Sequence, residues 1–200
     1  MGTVYSVDEV AAISDVARSL KLSLFMDGAR FANAVASLGV APKEITWQAG
    51  VDVLSFGCTK NGLAFGEAVV FFNRDLAQEF DFRVKQVGQL YSKMRYIAAP
   101  WIAMLENDTW LKHAANSSAM RKKREAALKP LIGKGAIEQL APVQANEMIL
   151  RLPQALIDRL RGRGWHFYDF IGPRIIRIMC AWDTMEEDIA AFAADAMALA

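Results

Sequence analysis

The sequence has few of the residues that build metal centres and disulfide frameworks. Only two cysteines and two histidines occur among 200 residues, and neither Cys58 nor Cys180 stands in a CxxC or histidine-rich context. These counts argue against a disulfide scaffold and against a zinc site. We therefore expect no metal, and the isolated cysteines fit a reducing cytoplasm.

Charge of one sign and long hydrophobic runs are also missing. The formal net charge is +1, with basic and acidic residues interspersed, so no global field draws the chain to nucleic acid or to an anionic membrane. The longest apolar runs, such as EAVVFFN, are far shorter than the roughly 20 residues that span a bilayer. With 54% hydrophobic residues, the sequence is typical of a globular protein that buries a core.

Alternating apolar runs and helical patterns predict an α/β arrangement in the first part of the chain. Ser6 and Glu9 have the spacing of a capping box, which predicts a helix over about 7–20. Three short runs have the near-continuous hydrophobicity of strands that are covered on both faces; they lie at 23–26, 51–57 and 67–73. Because a helical pattern separates the first two runs, we expect these strands to be parallel neighbours.

The rest of the chain predicts a helical connection and a second domain. Residues 75–128 are helical in pattern with breaks near Pro100 and Asn107, and the cluster MRKKRE at 120–125 is interpreted as a solvated helix face. A small α+β domain follows; its predicted elements are strands at 146–153, 165–170 and 174–180 and helices at 153–161 and 184–199. We place the first domain at 1–128 and the second at 129–200.

Polar residues follow the first two predicted strands. Asp27 comes directly after LFM, Arg30 follows three residues later, and Lys60 follows the second strand in CTKNG. Because the carboxyl ends of adjacent parallel strands meet at one sheet edge, we expect these residues to lie together. If Lys60 is desolvated, its amine can form imines with carbonyl compounds. Its position alone favours the alternative, an exposed lysine in a loop. An aldehyde cofactor of the pyridoxal phosphate type needs such an amine and a carboxylate beside its pyridine nitrogen.

Three segments carry a resemblance to a known family. MDGARFANAV, TWQAGVDVLSFGCTKNG with EAVVFF behind it, and RIIRIMCAWDTMEEDI resemble the threonine aldolases, especially those acting on threonine and phenylserine-like substrates. The resemblance implies pyridoxal 5'-phosphate as cofactor, an amino-acid substrate and a homodimer or homotetramer. It also implies the fold of aspartate aminotransferase (fold type I), here a partial three-layer α/β/α large domain followed by a small α+β C-terminal domain.

The same resemblance implies roles for individual residues. Lys60 would hold the cofactor as an imine, and Asp27 would keep its pyridine nitrogen protonated. Arg30 matches an arginine that approaches the cofactor's phenolic oxygen. Arg177 matches the arginine that binds the substrate α-carboxylate, a role that a guanidinium fills through two parallel hydrogen bonds. Arg174 competes for this role, although a solvent-facing position suits it better.

Further polar residues near these segments carry weaker expectations. Thr59 either contacts the cofactor phosphate or supports its turn. Lys93 and Arg95 resemble a basic segment near the phosphate, which would reach it across a dimer interface. His113 and His166 match no catalytic position and are expected to be surface or helix-packing residues. Cys58 is expected to be a small buried side chain rather than a thiolate nucleophile.

The implied reaction is cleavage of a β-hydroxy-α-amino acid, such as threonine, allo-threonine or phenylserine, to glycine and an aldehyde. β-Elimination and transamination are the alternative chemistries of the same fold. The resemblance implies that the chain begins where roughly the second half of a family member would begin, so we expect the phosphate loop, the ring that stacks on the cofactor and the general base to be missing from these 200 residues. A sheet built from residues 22–73 alone would expose apolar surface. The second hypothesis is therefore a non-catalytic chain that acts as a dimerisation or interaction module.

Overall fold

The computed structural model describes residues 2–200. The chain forms two compact units, one comprising Tyr5–Ala114 and the other Ala115–Ala200 with residues 2–4. The division between these units falls inside a helix, and a domain boundary at residue 128 stays a prediction. Among the described residues, no helix combines the length and the hydropathy that a membrane crossing requires.

The unit Tyr5–Ala114 is built on a three-stranded sheet with strand order β1-β2-β3. Its elements are α1 Val7–Ser19, β1 Phe25–Gly28, α2 Phe31–Leu38, β2 Val53–Gly57, β3 Glu67–Phe71, α3 Phe80–Gln86 and α4 Arg95–Leu105. β1 and β2 are parallel, as predicted, and β3 is antiparallel to β2. A short 3-10 helix, Thr59–Asn61, follows β2 almost at once.

The two faces of this sheet have different surroundings. Side chains alternate between the faces of a strand, so Leu54 joins the buried core formed with α2. On the other face, Phe25 is 59% exposed and Val69 is 44% exposed. The expectation that residues 22–73 alone would leave apolar sheet surface uncovered is thus confirmed.

The unit Ala115–Ala200 has an antiparallel sheet of order β4-β5-β6 covered by helices. The elements of this part of the chain are α5 Thr109–Gly133, β4 Glu138–Gln139, β5 Glu147–Arg151, α6 Gln154–Gly162, β6 Ile175–Met179 and α7 Glu186–Leu199. The core lies between β5, β6 and the helices, where Met148, Ile157 and Ile176 are fully buried. This agrees with the α+β composition predicted for the C-terminal part.

Two predictions of secondary structure are wrong. Pro100 does not interrupt its helix but lies inside α4, and the predicted break occurs only at Asn107, whose φ is 54°. The aromatic stretch 165–170 is not a strand, and only Asp169 forms a bridge, to Ile176. Aromatic residues favour strands where they pack on a pleated surface, whereas Trp165 packs edge-on against Phe192 of α7, with ring centroids 5.1 Å apart.

The interpretation of MRKKRE as a wholly solvated face is also wrong. Lys122 and Lys123 are exposed, but Arg121 and Arg124 are buried. Arg121 donates to the carbonyl of Val143 at 2.7 Å, and Arg124 donates to the carbonyl of Ile178 at 3.1 Å. A guanidinium has five donors and can therefore satisfy buried carbonyls, a use that the charge pattern of the sequence does not reveal.

Candidate active site

The structure brings the end of β1, which carries Asp27, and the turn that carries Lys60 to one edge of the sheet. β1 and β2 run parallel with Asp27 opposite Ser55 and Gly28 opposite Phe56. Both strands therefore end at the same side, where open α/β sheets bind their ligands. Lys60 lies three positions after the end of β2, in the 3-10 helix Thr59–Asn61.

Two glycines allow a close backbone approach where β1 and β2 end. A Cβ on Gly57 would lie 2.7 Å from the Cα of Ala29, and a Cβ on Gly28 would lie 2.5 Å from the carbonyl oxygen of Ser55. Neither separation is compatible with a side chain, so glycine is required for this close approach. The turn after Asp27 therefore packs directly against the start of the turn that contains Lys60.

Asp27 presents its carboxylate to solvent from the end of β1. Its side chain is exposed, and Oδ1 accepts a hydrogen bond from the backbone N–H of Ala29 at 3.0 Å. This is the local bond by which an aspartate stabilises a turn. The bond fixes the direction of the carboxylate while leaving lone pairs available for a ligand.

Lys60 is exposed, while Cys58 and Asn61 of the same turn are buried. The structure therefore shows the solvent-facing alternative for this lysine rather than a desolvated amine. Cys58 and Asn61 have only 0% and 3% of their surface exposed. Burial, aided by the nearby Glu67 carboxylate, raises the pKa of the Cys58 thiol to about 11. This supports the expectation that Cys58 is a buried neutral thiol.

The other sequence-predicted residues of this unit lie in three different elements. The Thr59 hydroxyl donates to the carbonyl of Gly66 at 3.3 Å, which is the turn-supporting alternative. Arg30 is half-buried and directly precedes α2. Arg95 begins α4, with its guanidinium 5.1 Å from the ring centroid of Tyr96.

Arg177 belongs to the other compact unit, where it lies on β6 among aromatic and acidic side chains. Its guanidinium is 3.8 Å from the Glu147 carboxylate and 4.6 Å from the ring centroid of Phe170, and it also donates to the Tyr168 hydroxyl. A substrate carboxylate at Arg177 would therefore compete with Glu147. Arg174 is exposed, as expected, and its φ is 62°.

Sequence reasoning missed the residues that anchor the lysine turn. The Asn61 side chain donates to the carbonyl of Trp110 at 2.7 Å, and Nδ1 of His113 lies 2.9 Å from the carbonyl oxygen of Asn61. The only sequence signal was the position of Asn61 next to Lys60. No group of acidic, cysteine or histidine residues that could hold a metal occurs within residues 2–200.

The donor set at this sheet edge fits pyridoxal 5'-phosphate. The cofactor aldehyde requires an amine, which Lys60 offers, and the pyridine nitrogen requires a carboxylate, which Asp27 offers. The glycine contact between the two turns keeps these groups on neighbouring loops. Arg30 follows Asp27 by three positions and directly precedes α2.

Comparison with known proteins identifies relatives over the whole chain. The family model for beta-eliminating lyases matches residues 1–152. The chain is 48% identical over 199 residues to a low specificity L-threonine aldolase from Pseudomonas sp., covering 100% of this chain and 57% of that protein. It is 50% identical over 195 residues to a low specificity L-threonine aldolase from Pseudomonas aeruginosa, covering 98% of this chain and 56% of that protein. The chain thus spans little more than half the length of these relatives.

Solved structures show the same fold. A threonine aldolase of Leishmania major superposes with a TM-score of 0.87 at 25% identity, covering 98% of this chain and 57% of that one. A sphingosine-1-phosphate lyase of Burkholderia pseudomallei shares the fold at a TM-score of 0.70 and 19% identity, covering 95% of this chain and 48% of that one.

These likenesses confirm the predicted fold, which is that of part of a fold type I pyridoxal phosphate enzyme. They also imply pyridoxal 5'-phosphate as the cofactor. The resemblance to threonine aldolases is confirmed as well, and the chain belongs to the beta-eliminating lyase family.

Proposed function

We propose that the protein is a pyridoxal phosphate-dependent aldolase that cleaves β-hydroxy-α-amino acids, such as threonine, allo-threonine or phenylserine, to glycine and an aldehyde. The observation that carries this proposal is the packing of the Asp27 turn against the Lys60 turn at Gly57. The low specificity L-threonine aldolases among its relatives support the choice of substrate class.

The residues of the two turns have complementary roles. When bound, pyridoxal 5'-phosphate supplies an electron sink for the carbanion that cleavage of the Cα–Cβ bond leaves on Cα. The Lys60 amine would hold the cofactor at its aldehyde group and would carry protons during the reaction as a general acid or base. The Asp27 carboxylate would hold the protonated pyridine nitrogen, and its preorganised charge would favour the electron sink.

Arg177 is proposed to bind the substrate α-carboxylate. Two parallel hydrogen bonds from one guanidinium would fix the orientation of the amino acid as well as its charge. Its ion pair with Glu147 would then hold the guanidinium in place until substrate arrives. Arg30, Thr59 and Arg95 are proposed as cofactor contacts, in which Thr59 would turn its hydroxyl from Gly66 to the phosphate.

The assembly and the compartment belong to the same proposal. Exposed apolar surface on the sheet supports a homodimer or homotetramer, because patches of this kind mark interaction sites. Two free, buried cysteines support a cytoplasmic location, where thiols stay reduced.

Covalent labelling of Lys60 tests the proposal. The chain is mixed with pyridoxal 5'-phosphate, reduced with borohydride and digested, and mass spectrometry locates the added cofactor. We expect the label on the peptide that contains Lys60, its loss in Lys60→Ala, and its retention in the control Lys43→Ala, which removes another exposed lysine. Equal labelling of Lys60→Ala and the parent would rule out Lys60 as the attachment site.

Product analysis separates aldol cleavage from the runner-up reactions. Incubation with threonine or phenylserine should release glycine and the matching aldehyde in equal amounts. Since the matching family model is that of beta-eliminating lyases, serine and threonine should also be assayed for keto acids. Pyruvate or another keto acid in place of glycine would favour β-elimination or transamination.

A non-catalytic dimerisation or interaction module is the second candidate. The uncovered apolar face around Phe25 and Val69 favours it, because apolar sheet surface of this kind promotes association. Light scattering should then report an oligomer that Val69→Lys dissociates, while no glycine forms from threonine. Glycine formation by the unaltered chain would exclude this candidate.

A further inference from the structure

The turn that carries Lys60 is anchored on both sides of an exposed residue. Cys58 and Asn61 are buried, and the carbonyl of Cys58 accepts hydrogen bonds from the N–H groups of Asn61 at 2.8 Å and Leu63 at 3.0 Å. These backbone bonds close the turn locally. They do not determine where the turn lies relative to the rest of the unit, so its position must come from longer-range contacts.

Two hydrogen bonds connect this turn to the first residues of α5. The Asn61 side chain donates to the carbonyl of Trp110 over 2.7 Å in a buried position. The ring of His113 contributes the second bond, between Nδ1 and the carbonyl oxygen of Asn61 at 2.9 Å. A carbonyl oxygen only accepts hydrogen bonds, so Nδ1 of His113 must carry the proton and donate.

The Trp110 ring links the same anchor to the elements around Asp27. It stacks on Phe31 with ring centroids 6.1 Å apart and an interplanar angle of 10°, and Phe31 directly follows Arg30. It also meets Phe56 of β2 edge-on, with centroids 5.1 Å apart. The start of α5 therefore contacts the lysine turn, β2 and the helix after the Asp27 turn.

We propose that His113 and Asn61 are positioning residues that hold the Lys60 turn on the start of α5, and thereby hold the Lys60 amine where it meets the cofactor aldehyde. The proposal rests on the proposed function for the role of Lys60. Neither residue touches the reacting atoms. Both act through the backbone of the turn, since His113 binds the Asn61 carbonyl and the Asn61 side chain binds the Trp110 carbonyl.

The two bonds can be removed separately by substitution. His113→Phe keeps a ring of similar size but removes the Nδ1 donor. His113→Asn restores a donor at about the position of Nδ1, because the amide nitrogen of asparagine stands equally far along the side chain. Asn61→Asp is isosteric and replaces the donor to the Trp110 carbonyl by an acceptor, which leaves that buried carbonyl without its partner. His166→Phe, at an exposed histidine, is the matched control.

Hydrogen–deuterium exchange and Lys60 labelling together test the proposal on the 200-residue chain. We expect His113→Phe and Asn61→Asp to increase amide exchange in residues 58–63 and to slow borohydride-trapped labelling of Lys60, each by about three- to tenfold, the range that one net hydrogen bond supports. His113→Asn should recover most of both effects. His166→Phe should change neither.

The outcomes distinguish this inference from the proposed function. If His113→Phe leaves both exchange and labelling at the parent level, or if His113→Asn restores neither, His113 is only a packing residue and the inference is wrong. If Lys60 is not labelled in the parent chain, the proposed function fails on this chain, while exchange in residues 58–63 still decides whether the two residues hold the turn. If His113→Phe fails to fold, the pair Asn61→Asp and His113→Asn decides in the same way.

Discussion

Replacing Gly57 by alanine tests whether the two active-site turns meet at this glycine. The added Cβ would lie 2.7 Å from the Cα of Ala29 and 3.0 Å from its carbonyl oxygen, both backbone atoms. It would also lie 2.5 Å from a carboxylate oxygen of Glu67, but that flexible side chain can rotate away. Ala29 would therefore have to retreat by about 0.7 Å to reach ordinary contact, which begins at 3.4 Å.

The magnitude follows from two opposing effects on the free energy of unfolding. Forcing a methyl group into a packed site costs about 1–3 kcal/mol. Alanine also lowers the conformational entropy of the unfolded chain relative to glycine, which increases the free energy of unfolding by about 0.4–1 kcal/mol. We expect a net loss of about 1–2 kcal/mol, which for a chain of this size lowers the melting temperature by about 2–8 °C.

Circular dichroism melting of Gly57→Ala measures this loss, and Gly162→Ala is the matched control. Gly162 ends α6, and a Cβ there meets nothing within 4 Å, so alanine should leave the melting temperature unchanged or raise it. Because the displaced turn directly follows the strand end that carries Asp27, borohydride-trapped labelling of Lys60 should also fall in Gly57→Ala. A variant that melts within about 1 °C of the parent and labels normally would refute the contact between the turns.

Three further predictions concern single side chains. The pKa of Cys58 is about 11 in the folded chain against 9.0 for an ordinary thiol, so the native state keeps a proton that the unfolded state loses and stability falls as the pH rises from about 9 to 11. In denaturant titrations, the parent should therefore lose about 1 kcal/mol of unfolding free energy relative to Cys58→Ala between pH 8 and pH 10. An unchanged difference between the two chains would contradict the buried neutral thiol. Arg174 has a φ of 62°, so Arg174→Gly should leave the melting temperature unchanged or raise it. In a cleavage assay, Arg174→Gly should leave KM for threonine unchanged, whereas Arg177→Lys should raise it. The opposite pattern would assign binding of the substrate carboxylate to Arg174. Ser6→Ala removes the 3.2 Å hydrogen bond from the Glu9 N–H to Ser6 and should cost about 1 kcal/mol in denaturant unfolding, while Ser6→Asp should keep most of that stability if the cap is what matters.

Features that depend on neighbours in sequence were predictable. The capping box of Ser6 and Glu9 is present, with the Ser6 N–H donating to the Glu9 carboxylate at 2.7 Å. The last helix was predicted to begin at residue 184, but its N-cap is Met185, and the Thr184 hydroxyl instead accepts a hydrogen bond from the N–H of Ala181. The Asp188 carboxylate accepts from the N–H of Met185 at 3.0 Å and begins the helix there.

Features that depend on distant partners were not predictable from the same patterns. Asp27 and Lys60 stood out because each follows an apolar strand, and parallel pairing then brings their turns together. The anchor of the lysine turn gave no such signal, because His113 and Asn61 are 52 residues apart and no local spacing connects them. The burial of Arg121 and Arg124 was hidden for the same reason, since their carbonyl acceptors lie in loops and strands far along the chain.

The neutral thiol beside the lysine bears on which nucleophile an incoming aldehyde meets. Thiolates add to aldehydes readily, and only the ionised form is strongly nucleophilic. With a pKa of about 11 for Cys58, roughly one thiol in ten thousand is ionised at pH 7, and the sulfur is shielded from solvent. An aldehyde that reaches this loop thus meets the exposed Lys60 amine, whereas the Cys58 thiol two positions away is buried and neutral and does not compete for it.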